Sequence, residues 1–260
     1  MSAGESSNLQ YVAENYLSTL IGDGAEAFLS LVGDNAVIAD PQCGRHEQAR
    51  SALGLHAGFN EWLKGRELSA QHLRTTASPE RVCSEDILHV RGGDETLELP
   101  VATVVSSLND GLRIHVYYTR WPFNKRHSVF PALFPQPETD AHHSGVILKY
   151  FECLNSGNLD RLVTCFEADV YFREASGPPY VHWGTEAVRS YFMGLFRKGA
   201  PMLRDDTITD DGRCAVMEFT VVGWNGEPRD PSDWEAGLAC YERSRDGLMS
   251  GIRIYDDVDF

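Results

Sequence analysis

The chain has little positive charge and no long hydrophobic run. Its 260 residues carry 23 Lys and Arg against 38 Asp and Glu, which gives a formal net charge of −15. Because such a surface is repelled by a nucleic-acid backbone or an anionic membrane, we expect neither as a partner. No apolar run approaches the roughly 20 residues that span a bilayer, and the polar start MSAGESSNLQ lacks a hydrophobic signal region. We therefore expect a cytoplasmic protein.

Paired cysteines and cofactor motifs are also missing. The six cysteines, at positions 43, 83, 153, 165, 214 and 240, form no C-x-x-C pair, which argues against a zinc ribbon or a redox motif. There is no His, Asp and Cys cluster with metal spacing, no Gly-rich phosphate loop and no G-x-S-x-G elbow. We expect reduced core thiols and activity without a metal, nucleotide or flavin.

The sequence does contain an internal repeat. Two 26-residue segments align without a gap at positions 134 residues apart, and strand-rich sequence closes each half of the chain. A repeat of this length predicts two copies of one domain. The segments are YLSTLIGDGAEAFLSLVGDNAVIADP (residues 16–41) and YFECLNSGNLDRLVTCFEADVYFREA (residues 150–175).

A carboxylate follows a tyrosine by 24 residues in both segments: Tyr16 aligns with Tyr150, and Asp40 aligns with Glu174. In the first segment Pro41 comes directly after the carboxylate. Because proline cannot donate to a sheet ladder, the strand AVIAD should end there. The carboxylate at that strand end is either a solvated turn residue or a group placed in a pocket.

A proline-rich segment separates the halves. We place the first domain at residues 8–122, the linker at 123–142 and the second domain at 143–260. The linker carries apolar residues, among them Phe130 and Phe134. We therefore expect it to pack along the surface rather than to extend freely.

The same order of elements is predicted in both halves. In the first helix, Val12, Tyr16 and Leu20 fall on one face at i, i+4 and i+8. A turn, a short second helix, the carboxylate strand, a third helix (residues 46–63 in the first half) and a run of strands follow. Helices first and an antiparallel sheet after them indicate the α+β class. Alternation in LRIHVYYT and CAVMEFTVVGW predicts sheets with two different faces.

The order Y…(N/D)GD…F…(D/E)P, leading to G…A(I/V)R, resembles the NTF2-like superfamily. It is most similar to the ketosteroid isomerase and SnoaL-like polyketide cyclase branch and to tandem polyether epoxide hydrolases. The resemblance covers essentially the whole chain, once per half. It implies two tandem cone-shaped, cystatin-like α+β barrels, each a curved antiparallel sheet wrapped by three helices. Family members commonly dimerise through the outer face of the sheet. The resemblance therefore also implies an internal pseudo-dimer, and it leaves a further homodimer open.

The resemblance also implies residue roles. In ketosteroid isomerases a tyrosine on the first helix donates a hydrogen bond to a substrate oxygen. An aspartate before proline, at the end of the first strand, moves the proton. Tyr16 and Asp40 match these positions in the first half. Tyr150 and Glu174 match them in the second half, where Ala175 replaces the proline.

At one further position this sequence differs from the ketosteroid isomerases. The isomerases use a second, protonated aspartate on a later strand. Counted back from the hairpin glycines, that position falls near Thr103 in the first half and near Ala239 in the second. Neither residue can act as an acid, so steroid isomerisation itself is not expected, whereas other proton-transfer chemistry is.

The residue types support acid–base work on physical grounds. A carboxylate in an apolar pocket has a raised pKa and becomes a usable base or acid near neutral pH. A tyrosine hydroxyl beside it can stabilise a developing oxyanion. The alternative is that Tyr16 and Tyr150 are core aromatics and that Asp40 and Glu174 are strand-end charges.

Three further residues are candidates for substrate binding. Tyr118 shares a strand face with Val116 and could line the pocket of the first half. His182 and Trp183 precede the third helix of the second half, where a pocket rim is expected. His115 lies on the strand face opposite Tyr118, and we assign it to a face between the domains.

The sequence thus predicts cofactor-independent acid–base catalysis on a small apolar, oxygenated metabolite. Isomerisation, cyclisation and epoxide opening in secondary metabolism all remain open. Asp40 and Glu174 would act as base or acid, and the motif Ala-Asp-Pro favours the first half as the catalytic one. The alternative is a non-catalytic module that uses the same fold to bind a small ligand or a protein.

Overall fold

The computed structural model describes residues 3–22, 24–41, 44–52, 65–92, 95–108, 111–119, 130–138 and 145–255. The chain divides into two compact units at residue 129. The predicted domain limits of 8–122 and 143–260 are not tested by this division and stay a prediction.

The first unit begins with helices and continues with strands. Its helices are α1 (Ala3–Gly22) and α2 (Ala25–Val32), and a 3₁₀ turn covers Ala49–Ala52. Its strands are β1 (Val37–Asp40), β2 (Gly44–His46), β3 (Glu67–Ala77), β4 (Arg81–Gly92), β5 (Glu95–Leu108) and β6 (Gly111–Tyr118). The prediction that the third helix begins at residue 46 is wrong, because His46 pairs with Ile38 as part of β2, and residues 53–63 of that predicted helix lie outside the described residues.

These six strands form one sheet in the order β2-β1-β6-β5-β4-β3. The sheet is mixed, because β1 pairs in parallel with β6 while the other neighbours are antiparallel. The prediction of a purely antiparallel sheet is wrong at this pair. Strands β1 and β6 are far apart in sequence and no hairpin fixes their directions, so the repeat pattern alone could not show it.

Helix α1 packs on one face of this sheet. The predicted stripe of Val12, Tyr16 and Leu20 is at most 1% exposed and joins a core with strand residues such as Ile114 and Tyr118. We call the face of each sheet that carries its core the inner face. His115 lies on the other face, as the alternation predicts.

The second unit repeats this layout. Its helices are α3 (Gly145–Ser156), α4 (Leu159–Val163) and α5 (Thr185–Phe196), and a 3₁₀ turn covers Pro231–Asp233. Its strands are β7 (Phe166–Arg173), β8 (Val181–Trp183), β9 (Met202–Asp210), β10 (Cys214–Trp224), β11 (Glu227–Pro228), β12 (Glu235–Arg243) and β13 (Met249–Tyr255). The order is β11-β10-β12-β13-β7-β8, with β9 paired to β10 and β7 parallel to β13.

A tight turn joins α3 to α4. Gly157 has a φ of +67°, which glycine adopts without a Cβ penalty. The side chain of Asn158 then accepts a hydrogen bond of 3.1 Å from the backbone N–H of Arg161 and caps α4. The sequence SGN therefore ends α3 and starts α4.

Strand pairing confirms the equivalence of the two carboxylates. Ile38 lies opposite Ile114 on the parallel strand in the first unit, and Phe172 lies opposite Ile252 in the second. Asp40 and Glu174 each come two residues after these matched positions. Strand β1 ends at Asp40, as the following proline predicts.

Residues 130–138, within the predicted linker, pack on the second unit. Phe130 and Phe134 are only 8% and 7% exposed. The backbone N–H groups of Ala132 and Glu138 donate to the carbonyls of Trp234 and Asp206, at 2.9 and 2.8 Å. The prediction that the linker packs along the surface is confirmed for this part.

Five cysteines are free and buried, and Cys43 lies outside the described residues. Within the described ranges, the structure contains no helix with the length and apolar character needed to cross a bilayer.

Candidate functional site

Glu174 and His182 form a direct pair in the second unit. Glu174 follows β7, and His182 lies in the neighbouring strand β8, directly opposite Phe172. The atoms Oε1 of Glu174 and Nε2 of His182 are 2.6 Å apart, and the side chains are 22% and 26% exposed. A hydrogen bond this short is typical of a charge-assisted pair. The pair is therefore both held in place and open to a ligand.

The two side chains keep one polar atom each for other partners. Among the described residues, neither Oε2 of Glu174 nor Nδ1 of His182 has a hydrogen-bond partner. The imidazole ring is fixed by Tyr191 and Phe172, whose ring centroids lie 5.0 and 5.8 Å from its own. The pair thus presents a carboxylate oxygen and an imidazole nitrogen in a fixed geometry.

A cluster of aromatic rings continues inward from this pair. Each ring lies within 6.3 Å of another, and the contacts lead from His182 through Tyr191 and Phe192 to Tyr150. We call this group the ring cluster. Its members are Tyr150, Phe166, Phe172, Tyr191, Phe192 and Tyr241.

Two tyrosines lie deep in the ring cluster. Tyr150 is 2% and Tyr241 1% exposed. Desolvation raises the pKa of both phenols, that of Tyr150 well above its ordinary value, with a smaller contribution from neighbouring groups. Both hydroxyls therefore stay protonated at physiological pH and are available as hydrogen-bond donors.

The matching carboxylate of the first unit is more deeply buried. Asp40 is 0% exposed, and its Oδ2 accepts a hydrogen bond of 3.1 Å from the hydroxyl of Tyr118. Tyr16 is also 0% exposed, and its ring packs edge-on against Phe28 with centroids 5.6 Å apart. The structure thus brings Tyr118 to Asp40, and the pocket-lining role of Tyr118 stays a prediction.

Strand pairing reveals a histidine match that the ungapped repeat does not show. His46 lies opposite Ile38 on β2, just as His182 lies opposite Phe172 on β8. His46 follows its carboxylate by fewer residues than His182 does, so an alignment without gaps does not superimpose the two histidines. An alignment that allows different hairpin lengths would find it.

The inner face of the first sheet carries a second polar group that the sequence analysis missed. Nδ1 of His72 lies 3.0 Å from Oδ1 of Asp86, and the hydroxyl of Ser84 donates to Oδ2 of Asp86 at 2.7 Å. Thr75 lies 3.2 Å from Nε2 of His72 and donates to Glu14 of α1 at 2.6 Å. The alternation of Ser84, Asp86 and Leu88 along one strand face is the sequence signal of this inward acid.

Trp183 does not join the site. It is 68% exposed and packs edge-on against Tyr171, with ring centroids 4.8 Å apart. Successive residues of a strand point to opposite faces, so Trp183 points away from His182. The prediction that it binds substrate beside His182 is not supported by this placement.

The strand position at which ketosteroid isomerases carry their second aspartate is occupied by Thr103 in the first unit and by Ala239 in the second, as predicted. Thr103 lies opposite Val116 in the first unit, and Ala239 lies opposite Ile254 in the second. Both positions face inward, and both residues are 0% exposed.

No group of three or more His, Cys, Asp or Glu side chains in the described ranges is arranged to hold a metal ion. A separate surface cavity of about 430 Å³ lies on the second unit, away from the ring cluster. It is lined by Pro131, Arg229, Ser232, Asp233, Trp234 and Glu235.

Comparison with protein families finds a match in the second unit. Residues 147–252 match the model of the SnoaL-like domain. The second unit is therefore similar to a SnoaL-like domain over most of its length, and the first unit repeats its α+β layout. No curated protein matches the chain.

Several solved structures are similar over less than half of the chain. A putative polyketide cyclase from Xanthomonas campestris pv. campestris is 24% identical, with 43% of this chain and 87% of that chain covered and a TM-score of 0.34. An NTF2-like protein of unknown function from Cytophaga hutchinsonii is 15% identical, with the same coverage and a TM-score of 0.34. SalBIII, described as an epoxide hydrolase/cyclase-like enzyme in pyran ring formation in polyether salinomycin, is 16% identical. That match covers 44% of this chain and 88% of SalBIII, with a TM-score of 0.36.

Proposed function

We propose that the protein is an acid–base enzyme that acts, without a cofactor, on a small apolar molecule carrying oxygen. The observation that carries this proposal is the Glu174–His182 pair, 2.6 Å apart at the opening of an aromatic cluster. The SnoaL-like match to residues 147–252 supports an isomerase or cyclase role. Epoxide opening uses the same proton transfers and belongs to the proposal.

In the proposed reaction Glu174 takes a proton from the substrate or from an attacking hydroxyl through Oε2. His182 holds the carboxylate in one orientation, and a fixed geometry lowers the entropy cost of reaching the transition state. The ring cluster packs against the apolar part of the substrate and excludes water. The buried hydroxyls of Tyr150 and Tyr241 are the donors available to a developing oxyanion.

The geometry moves the proposed catalytic role from the first half to the second. Asp40 is 0% exposed and already accepts from Tyr118. Glu174 keeps an open oxygen and partial exposure. Asp40 and Tyr16 remain candidates for a supporting or separate step.

The test uses three model substrate classes: a β,γ-unsaturated ketone, a hydroxy-epoxide and a poly-β-ketone. We expect turnover of at least one class, and a loss of about 100- to 10,000-fold in Glu174→Gln, as is typical for removal of a general base. Glu186→Gln is the matched control, since Glu186 is an exposed glutamate on α5. Its turnover should equal that of the wild type.

The variant Asp40→Asn tests whether the catalytic carboxylate lies in the first unit or in the second. A small effect in this variant beside a large one in Glu174→Gln supports catalysis in the second unit. Equal large losses would replace the proposal with a shared or sequential mechanism. Saturable ligand binding with no turnover in any class would favour the non-catalytic binding module.

A further inference from the structure

The polar group on the inner face of the first sheet has no role in the proposed reaction at Glu174. It consists of Glu14, His72, Thr75, Ser84 and Asp86, and we call it the His72 network. Its hydrogen bonds span from helix α1 to a carboxyl that is 2% exposed. Burying a carboxylate is costly unless it is paired and hydrogen-bonded, so its presence calls for an explanation.

The fold does not require this network. On the inner face of β4, Ser84 and Asp86 are the two residues after Val82. At the matching place on β10, two inward residues come after Ala215. Those residues are Met217 and Phe219, which belong to the core. The same strand is therefore built with apolar side chains in one copy and with a carboxylate in the other.

The proton positions follow from counting donors. Thr75 has one hydroxyl proton, and its 2.6 Å bond to Glu14 uses it. The Thr75 oxygen must then accept from Nε2 of His72. Ser84 likewise uses its proton on Asp86, so Nδ1 of His72 faces acceptors only. His72 is thus assigned as an imidazolium between two carboxylates.

The surrounding charges agree with this assignment. Among the described residues, helix α1 contributes Glu14 and strand β4 contributes Asp86 on this face. The remaining nearby charges, Glu85 and Arg74, pair with each other at 3.6 Å on the other face of the sheet. The imidazolium is therefore balanced by carboxylates on the inner face.

A buried hydroxyl beside the network is unsatisfied. Thr103 lies directly opposite Ser84 on the neighbouring strand and is 0% exposed. Its Oγ1 has no hydrogen-bond partner among the described residues. Asp86 is the next inward residue after Ser84, so Thr103 and Asp86 are diagonal neighbours on one face. A ligand hydroxyl between them would accept from Thr103 and donate to Asp86, which has further lone pairs beyond those used by Ser84 and His72.

We propose that the inner face of the first unit is a second proton-transfer site, in which Asp86 accepts the proton of a ligand hydroxyl whose oxygen is bound by Thr103. The ligand class is a small molecule with an acidic hydroxyl, such as a phenol or an enol. The ligand O–H bond breaks and an O–H bond forms on Asp86, which leaves the ligand as an oxyanion.

The proton stays on Asp86 while the oxyanion is bound, because both ring nitrogens of His72 already carry protons and cannot take another. When the ligand leaves, Asp86 returns the proton to the oxyanion or releases it to water. One proton moves between the ligand and Asp86, with no change in oxidation state.

The first experiment measures the protonation of His72 by ¹⁵N NMR of the histidine rings, with His72→Gln used to assign the signals. The ¹⁵N signals report which ring nitrogens of His72 carry protons. Asp86→Asn removes the carboxylate that faces Nδ1 and should change the Nδ1 signal. An Nδ1 signal that is the same in the wild type and in Asp86→Asn would overturn the proposal.

The second experiment uses 4-nitrophenol, whose absorbance reports whether it is bound as phenol or phenolate. We expect saturable binding with an increased phenolate fraction, and a three- to tenfold weaker affinity in Thr103→Val, about the value of one hydrogen bond. Thr76→Val is the matched control. Thr76 is also a buried threonine of this sheet with no partner for its hydroxyl in the described part, but it lies on the opposite face.

Glu174→Gln separates this proposal from the one for the second unit, because it should leave 4-nitrophenol binding unchanged. If Glu174→Gln abolishes the signal, the probe binds in the second unit and the proposal is wrong. Absence of saturable binding, or equal effects of Thr103→Val and Thr76→Val, would also overturn it.

Discussion

Asp86 illustrates how the surroundings of a single residue set its proton affinity. Burial raises the pKa of its carboxyl above the ordinary value, and the hydrogen bonds from Ser84 and His72 oppose that shift only in part. The folded chain therefore holds the Asp86 proton more tightly than the unfolded chain does.

This shift has a consequence for stability against pH. Since the folded pKa is raised above the unfolded value of about 3.9, the contribution of Asp86 to the free energy of unfolding is highest below that value. It falls as the pH rises through the interval up to the folded pKa. Asp86→Asn should remove this fall, so the difference in stability between wild type and variant should change with pH across that interval.

Urea unfolding at a series of pH values measures this difference. Asp246→Asn is the control, since Asp246 is an exposed carboxylate in a turn. Stability curves for wild type and Asp86→Asn that stay parallel throughout would contradict the prediction.

At the scale of single elements, the repeat allowed the carboxylate strands to be predicted in detail. The fixed offset placed Asp40 and Glu174 at matching ends of β1 and β7, and strand pairing confirms the match. Helix periodicity likewise predicted the buried face of α1. These features depend on neighbours in sequence, which a pattern can show.

The functional pairs were harder to predict because they depend on pairing between strands. The sequence predicts His182 near a pocket rim, but its bond to Glu174 depends on the hairpin between β7 and β8. The His72–Asp86 pair depends on the register of β3 with β4, which includes an irregularity after His72. No local sequence pattern gives a register of this kind.

The ring of Phe219 on β10 lies so close to Gly237 on β12 that glycine is required there. A Cβ on Gly237 would lie 2.4 Å from ring atoms of Phe219. Gly237→Ala should therefore lower the free energy of unfolding by about 1–3 kcal/mol or more through overpacking. Chemical denaturation measures the change.

Gly194→Ala is the comparison, because Gly194 lies within α5 and a Cβ there would meet nothing within 4 Å. This variant should be more stable by about 0.5–1 kcal/mol. Equal effects of the two substitutions would mean that packing at β10 and β12 is not the cause.

At the scale of the whole molecule, the two copies of one layout have diverged on their inner faces. The second unit combines a carboxylate–histidine pair with aromatic rings. The first combines a buried Asp40–Tyr118 pair with the His72 network. This divergence favours different tasks for the two units rather than two copies of one active site.

The attachment of residues 130–138 depends on one arginine. A terminal nitrogen of Arg204 donates to the carbonyl of Phe134 at 2.6 Å, and the guanidinium lies over the ring of Trp234. Arg204 also pairs with Asp206, which is 1% exposed. Arg204→Met should lower the free energy of unfolding by about 3 kcal/mol, because it leaves a buried carboxylate without its cation.

The same variant should be cleaved faster by thermolysin at the Ala132–Leu133 bond, as mass spectrometry of a limited digest would show. Arg213→Met, at an exposed arginine, is the control and should match the wild type. Unchanged cleavage in Arg204→Met would show that the segment is held by its other contacts alone.

The backbone hydrogen bonds of residues 130–138 also determine where a recombinant fragment of the second unit can begin. A recombinant fragment that starts at Gly145 would omit Phe130 and Phe134 and expose the strand surface that they cover. It would also lose the hydrogen bonds to Trp234 and Asp206. A fragment meant for isotope labelling of the second unit should therefore begin before Phe130, although the prolines around it mark the segment as a spacer.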